Sequence, residues 1–296
     1  MKIHKIDPCG YCFGVKNALN KILELRKSTN KNIYSLGKLI HNDITINNLK
    51  NENIITIEND NLNRLELLKT IEKDGIISIT AHGVSPEIYY YLNSNNIEYL
   101  DCTCPKVLRV HNIIREHLEK GYKILYLGKK NHPETEGVLG IDNGNIYLLE
   151  TKSNIDDLSF IENQKVFATN QTTLPYEHLE KMYQFIKEKY PNIEVNNGVC
   201  NVSKERQLGI KNYTFLDLLL VIGDKKSSNT KSLVEYAKSL NINSYLIEDL
   251  NELISKKYIL NNVNEVGVTS GASTPDYLID EVINYLSNYI KIKKDN

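Results

Sequence analysis

Cys12, Cys104 and Cys200 each stand where an apolar-alternating stretch gives way to a helical pattern. A thiol at such a handover faces backbone N–H groups and the positive end of a helix, which favours thiolate and hence metal or redox chemistry. Taken singly, the pair in Cys9-Gly10-Tyr11-Cys12 fits a thioredoxin-like motif or half a zinc site, and a lone cysteine is more often a buried hydrophobe. The argument gains force because the arrangement occurs three times. Three thiolates suggest a soft metal centre. A structural zinc would want a fourth protein ligand. An iron–sulfur cluster can be held by three cysteines with one iron open, and the lack of a fourth equivalent favours it. Cys9 and Cys102 break the pattern and read as spectators.

Histidines and hydroxyls surround the same positions. His41, His82 and His132 fall in loops after predicted strands, whereas His4, His111, His117 and His178 fall in strand or helix patterns and read as packing or surface residues. Ser227-Ser228-Asn229, beside Lys225 and Lys226, is a good anion cradle, and Gly271-Ala272-Ser273 is similar. Alone, each loop is an ordinary helix cap. Together they suit a diphosphate, which needs many converging donors. Glu134, next to His132 and opposite Thr172, reads as a proton carrier. Its plainer reading is a first-turn glutamate favoured by the helix dipole.

These residues are positioned by a repeated plan. Asn96-Ile97-Glu98 and Asn192-Ile193-Glu194 begin strands that lead to Cys104 and Cys200 at the same spacing, and Ile3 to Cys12 is a looser first copy. A second strand ends at Gly37, Gly128 or Gly223. A third ends at Glu58, Glu150 or Glu248. A fourth ends at Thr80, Thr169 or Thr269, with Pro86, Pro175 or Pro275 six positions on to open a helix. Helical stretches are expected around Leu62 to Ile71, Asp156 to Ile161 and Leu250 to Ile259. Each copy reads βα four times and predicts an α/β fold of three pseudo-symmetric small parallel-sheet domains. Their bounds fall at 1–95, 96–191 and 192–285, with a frayed charged tail over 286–296. Parallel sheets bind ligands beyond the carboxyl ends of their strands. The cysteines and polar loops all lie there, so the domains are expected to form a trefoil around a central iron–sulfur site.

Composition narrows the field. The 296 residues carry a formal net charge of −1 and are 25% charged, which suits a globular chain and argues against general affinity for nucleic acid or anionic membranes. No apolar run approaches the roughly 18 residues of a membrane span. Met1-Lys2-Ile3-His4-Lys5 lacks an apolar signal core, so a cytoplasmic protein is expected. Five cysteines, an odd number in no disulfide-dense pattern, fit a reducing compartment.

The chain resembles the 4-hydroxy-3-methylbut-2-enyl diphosphate reductase family. The resemblance rests on Gly10-Tyr11-Cys12-Phe13-Gly14-Val15, Ile40-His41-Asn42, Ala81-His82-Gly83-Val84-Ser85, Thr103-Cys104-Pro105, His132-Pro133-Glu134, Gln171-Thr172-Thr173-Leu174, Ser227-Ser228-Asn229 and Gly271-Ala272-Ser273. It implies one 4Fe–4S cluster ligated by Cys12, Cys104 and Cys200, with an open iron that meets the substrate hydroxyl beside Thr172 and Glu134. It implies a diphosphate held by His41, His82, His132, Ser227, Ser228, Asn229 and Ser273. The implied reaction is reductive loss of the hydroxyl, the last step of the methylerythritol phosphate route, giving isopentenyl and dimethylallyl diphosphates. A ferredoxin or flavodoxin is the implied electron donor. The family commonly has Ala where Phe13 stands, and no cysteine at Cys9 or Cys102. Two alternatives remain at this point: a quinolinate synthase-like three-cysteine enzyme, which the His132 and Ser227 loops disfavour, and a non-catalytic iron–sulfur redox sensor, which would not need those loops.

Overall fold

The computed structural model describes residues 1–59, 61–71, 74–158, 164–196, 198 and 200–295. Strand β1 (Lys2–Lys5) is followed by α1 (Phe13–Ser28), β2 (Ile33–Leu36), α2 (Asp43–Asn51), β3 (Ile54–Ile57), α3 (Arg64–Lys69), β4 (Ile76–Ile79) and α4 (Pro86–Ser94). The same succession returns as β5 (Tyr99–Asp101), α5 (Pro105–Glu119), β6 (Lys123–Leu127), α6 (Pro133–Leu139), β7 (Ile146–Leu149), α7 (Lys152–Asp156), β8 (Val166–Asn170) and α8 (Tyr176–Lys189). It returns again as β9 (Glu194–Val195), α9 (Asn201–Lys211), β10 (Leu218–Ile222), α10 (Ser228–Ser239), β11 (Ser244–Ile247), α11 (Leu250–Ser255), a short 3-10 helix Lys257–Leu260, β12 (Glu265–Ser270) and α12 (Asp276–Asp295).

The strands form three four-stranded sheets, ordered β3-β2-β4-β5, β7-β6-β8-β9 and β11-β10-β12-β1, with every pairing parallel. The central strands β2, β4, β8 and β10 are buried along their whole length, as strands covered on both faces must be. Proline at the first helical position of α4, α5 and α6 stops each preceding loop from continuing as strand. At the end of each second strand, Gly37, Gly128 and Gly223 donate their N–H to Ile57, Leu149 and Ile247 in the neighbouring third strand. The expected repeat is therefore present at the level of single hydrogen bonds.

Sheet membership differs from the sequence division in one respect. The leading strand of each segment was expected in that segment's own sheet. Instead β5 pairs with β4 and β9 with β8, each in the sheet of the preceding segment. A strand joined to its predecessor by one short helix packs beside it, because consecutive elements are usually adjacent in space. β1 fills the equivalent edge on β12, from Lys2 opposite Glu265 to Lys5 opposite Val268.

The chain divides into two compact units, one of residues 1–13, 41–43 and 200–296, the other of residues 14–40 and 44–199. The first holds the sheet of β1, β10, β11 and β12, with a core that includes Ile6, Leu219, Val221 and Leu233. The second holds the other two sheets, with cores around Leu36, Ile77 and Ile88 and around Leu127, Ala168 and Leu179. The helix expected over Asp156 to Ile161 is seen only as α7, ending at Asp156; residues 159–161 lie outside the described residues. The tail expected to fray is helical through Asp295, because buried Leu278, Val282 and Leu286 continue one apolar stripe past residue 285. Among the described residues no helix is long and apolar enough to cross a membrane.

Candidate active site

In the second unit the carboxyl end of β6 leads to His132, the N-cap of α6. The His132 Nδ1 accepts the Glu134 N–H at 3.2 Å. A neutral His132 therefore carries its proton on Nε2, as a donor. Glu134 is 2% exposed. Its two oxygens have different partners on one residue. Oε1 accepts the Thr172 backbone N–H at 2.7 Å and Oε2 accepts the Thr172 hydroxyl at 3.0 Å. Burial pushes the Glu134 carboxyl up to about 7, against the two Thr172 hydrogen bonds, which favour the ionised form.

The Thr172 loop is held from behind by Gln171, which the sequence singles out only as part of a motif, and by Asn170 and Tyr183. The Gln171 N–H donates to Leu127 O, its Oε1 accepts the Lys129 N–H at 3.0 Å, and Asn170 Nδ2 donates to the Gln171 carbonyl at 2.7 Å. The Tyr183 hydroxyl fixes Asn170 Oδ1 at 2.6 Å. An added Cβ at Gly128 would stand 2.8 Å from Thr135 Oγ1 and 2.7 Å from the Tyr126 ring, so this turn requires glycine. His82 lies edge-to-face with His132 at 5.9 Å between ring centres, and its Nδ1 is 3.4 Å from the buried Thr80 hydroxyl. Cys104 is the N-cap of α5, with its N–H on Ala81 O at 3.0 Å and its sulfur not used for capping.

In the first unit Cys200 is the N-cap of α9, again without a side-chain cap, and Cys12 immediately precedes α1 with its N–H on Ala272 O. Ser227 caps α10, its Oγ accepting the Thr230 N–H at 3.4 Å. Its hydroxyl hydrogen remains a donor. Asn229 Oδ1 accepts the Ala272 N–H at 2.9 Å while Nδ2 donates to Ser203 Oγ at 2.8 Å, leaving a second amide hydrogen for an incoming oxygen. Ser228 opens α10 half-buried. Ser273 donates its hydroxyl to the His41 carbonyl at 2.7 Å, which binds these two predicted residues together. Lys225, placed by sequence beside this cradle, is ion-paired with Glu248 and Glu252 at 3.0 and 2.9 Å.

All five cysteines are free. The Cys9 sulfur donates to Asp7 Oδ1 at 3.2 Å, and Cys102 is fully buried beside Ser78. Burial pushes both thiols up to about 11, so they are protonated at neutral pH and poor ligands. Cys12, Cys104 and Cys200 are each half-buried at the start of a helix, and neither Cys104 nor Cys200 uses its sulfur as a cap. That donor set fits a thiolate-ligated cluster. Among the described residues no three His, Cys, Asp or Glu side chains are grouped so as to hold a single metal ion.

Parallel βα units carrying a buried, near-neutral carboxyl, paired imidazoles and amide-rich helix N-termini at their carboxyl ends define an α/β enzyme for an anionic substrate. The family follows from comparison. The chain belongs to the LytB protein family, whose model matches residues 3–287. It is 39% identical to the 4-hydroxy-3-methylbut-2-enyl diphosphate reductase of Bacillus subtilis (strain 168), over 98% of this chain and 91% of that protein. It is 38% identical to that of Lysinibacillus sphaericus (strain C3-41), over 98% and 89%. The fold matches the E-1-hydroxy-2-methyl-but-2-enyl-4-diphosphate reductase of Plasmodium falciparum with a TM-score of 0.91 at 31% identity, covering 96% of this chain and 87% of that one. A second structure, of (E)-4-hydroxy-3-methyl-but-2-enyl diphosphate reductase, the terminal enzyme of the non-mevalonate pathway, matches at 0.69 and 31%, covering 97% and 100%. These findings remove the quinolinate synthase-like alternative.

Proposed function

We infer that the chain reduces 4-hydroxy-3-methylbut-2-enyl diphosphate, the terminal step of the non-mevalonate pathway. The allylic hydroxyl leaves as water, two electrons and two protons enter, and isopentenyl and dimethylallyl diphosphates are formed. Cys12, Cys104 and Cys200 would hold one 4Fe–4S cluster with an open iron; when bound, it supplies the electrons and a Lewis-acidic position for the departing oxygen.

The observation that carries the reading is the Glu134–Thr172 pair. Hydroxide is a poor leaving group, so the C–O bond breaks only as a proton reaches the oxygen. The Thr172 N–H needs an unprotonated acceptor, and it occupies Oε1. The Glu134 proton therefore resides on Oε2, facing the Thr172 hydroxyl. Thr172 can accept that proton while passing its own to the substrate oxygen. With a pKa of about 7, Glu134 is protonated in a large share of molecules at neutral pH and still acidic enough to give the proton up. His132 Nε2 and His82, with His41, Ser227, Ser228, Asn229 and Ser273, are assigned to the diphosphate. The Ser273 hydroxyl would turn from the His41 carbonyl to donate to it. We take the cytoplasm as the compartment and a ferredoxin or flavodoxin as the donor.

The test is anaerobic turnover with a reduced viologen dye. Dye oxidation should require the hydroxylated allylic diphosphate and disappear with Cys12→Ser, Cys104→Ser or Cys200→Ser, each with loss of bound iron and sulfide. Cys9→Ser and Cys102→Ser should keep both. Tight zinc binding without sulfide after reconstitution would sink the cluster assignment.

A further inference from the structure

Among the described residues Arg206 is the largest fully buried side chain, 2% exposed, in the middle of α9. It stands six residues after Cys200. The residues six after Cys12 and Cys104 are Ala18 and Val110, both buried and apolar. One copy of the repeat has therefore replaced an ordinary core position with a permanent cation. Burying a guanidinium costs several kcal/mol unless it is compensated.

The compensation is specific. Nη2 donates to the Gly10 carbonyl at 2.6 Å, and Nη1 to the Ser270 carbonyl at 2.7 Å and the Ser270 hydroxyl at 3.5 Å. The Ser270 hydroxyl in turn accepts the Gly10 N–H at 2.7 Å. Arg206 and Ser270 thus clamp both polar backbone groups of Gly10, two residues before Cys12. The room for this is made by glycine: an added Cβ there would fall 1.6 Å from Asp276 Oδ1, and φ is +77°. The Nε of Arg206 is buried with no hydrogen-bond partner among the described residues. Burial works against the guanidinium's charge, and the groups near enough to support it are the sulfurs of Cys12, Cys9 and Cys200 and the Asp276 side chain. The neutral carbonyls satisfy its geometry but not its charge. Burial keeps the Cys9 sulfur protonated, which leaves Asp276 and the sulfurs of Cys12 and Cys200 facing the guanidinium.

We propose that Arg206 is a positioning residue for the cluster: it fixes the Gly10–Cys12 loop against the end of β12 and supplies the buried positive charge that offsets the thiolates of Cys12 and Cys200. A fixed cation beside a cluster favours the state with one more electron, since net charge and burial set cluster potentials. The same side chain therefore links ligand geometry to reduction potential. A lysine keeps the charge but not the fork that reaches both carbonyls, so the two roles are separable.

The inference rests on the three-cysteine cluster reading, and the test keeps the two apart. Holoenzyme and the Arg206→Lys, Arg206→Gln and Arg206→Met variants are titrated anaerobically by electron paramagnetic resonance, and the apoproteins are compared by amide hydrogen exchange over residues 7–12. At the wild-type midpoint, the ratio of reduced to oxidised cluster should fall about tenfold in the Gln and Met variants, or about 59 mV for a one-electron couple. It should stay within about twofold in the Lys variant. Exchange at Gly10 and Cys12 should quicken about tenfold or more in all three. A Met or Gln variant titrating with wild type overturns the charge role, and unchanged exchange overturns the clamp. If Gln and Met do not fold, Lys decides: faster exchange at an unshifted midpoint supports the proposal, and a shifted midpoint overturns it. A wild-type protein that takes up zinc and no sulfide overturns the cluster reading and the charge role with it, while the exchange comparison still decides the clamp.

Discussion

Six residues past the glycine that closes a central strand, the second segment carries Glu134 and the third carries Asn229. Both side chains accept the same backbone hydrogen bond from the loop after the fourth strand: Thr172 N–H to Glu134 Oε1 at 2.7 Å, Ala272 N–H to Asn229 Oδ1 at 2.9 Å. The second side-chain atom then differs. Glu134 Oε2 meets the hydroxyl of Thr172, whereas Asn229 Nδ2 reaches Ser203. The repeat thus preserves a side-chain-to-loop bond and changes only what that side chain can do. A carboxyl there stores a proton. An amide is neutral, offers hydrogens and does not repel a phosphate. Asp43 occupies the same offset in the first segment, but it is exposed, so the position alone does not make an acid.

The largest expected break in this comparison is Glu134→Gln. It retains the Thr172 N–H bond and removes the proton, so kcat should fall about 10²–10⁴-fold with substrate affinity unchanged, read from anaerobic steady-state kinetics and calorimetric binding. Turnover within a few-fold of wild type would leave His132 as the acid.

The same variant has a signature in stability. Glu134 titrates near 7 in the fold against an ordinary value of 4.5. A raised folded value means that its stabilising contribution is complete below about 4.5 and is lost as pH rises to 7. Urea midpoints of apoprotein should therefore show Glu134→Gln gaining on wild type across that window, by on the order of 3 kcal/mol, with no further change above it. Parallel curves would mean that the carboxyl is not desolvated.

Asn229→Asp imposes the second segment's charge on the third. KM should rise about 10–100-fold, the scale of a hydrogen bond to a charged group, with the cluster spectrum unaltered. An unchanged KM would move the diphosphate elsewhere.

Thr172→Val gives the finest distinction. It keeps the backbone donor and deletes the hydroxyl that favours ionised Glu134. Without the relay hydroxyl kcat should fall about as far as in Glu134→Gln, and the alkaline limb of the residual activity should move up by roughly half to one pH unit. A limb that does not move would belong to another group.

Much of this was legible in the residues. Gly37, Gly128 and Gly223, the Thr-to-Pro loops and the half-buried cysteines are marked by turn and helix-start chemistry, which is local. Sheet partners are not local. Nothing in Ile3–Ile6 says that its neighbour is Val266–Val268 rather than a strand of its own segment. Arg206 was invisible for a related reason: an arginine in an amphipathic helix reads as surface, and only the apolar matches at Ala18 and Val110 betray its burial. Lys225 failed in the opposite sense, since its neighbours in sequence are polar while its ion-pair partners lie more than twenty residues on.

The pairing of β1 with β12 also sets a clock on biogenesis. Thr269 Oγ1 donates to Ile6 O across 263 positions of chain. At about 5–20 residues per second, a ribosome needs more than ten seconds to deliver the second strand after the first. Until then β1 is a ribbon without a neighbour, and the Cys12 loop behind it has no Ser270 or Ala272 to rest on. The other two sheets lie wholly within residues 33–195 and can form during elongation. Folding is thereby ordered: the seat of Cys12 is completed last, after the two sheets of residues 33–195, and a product truncated before β12 is left without it.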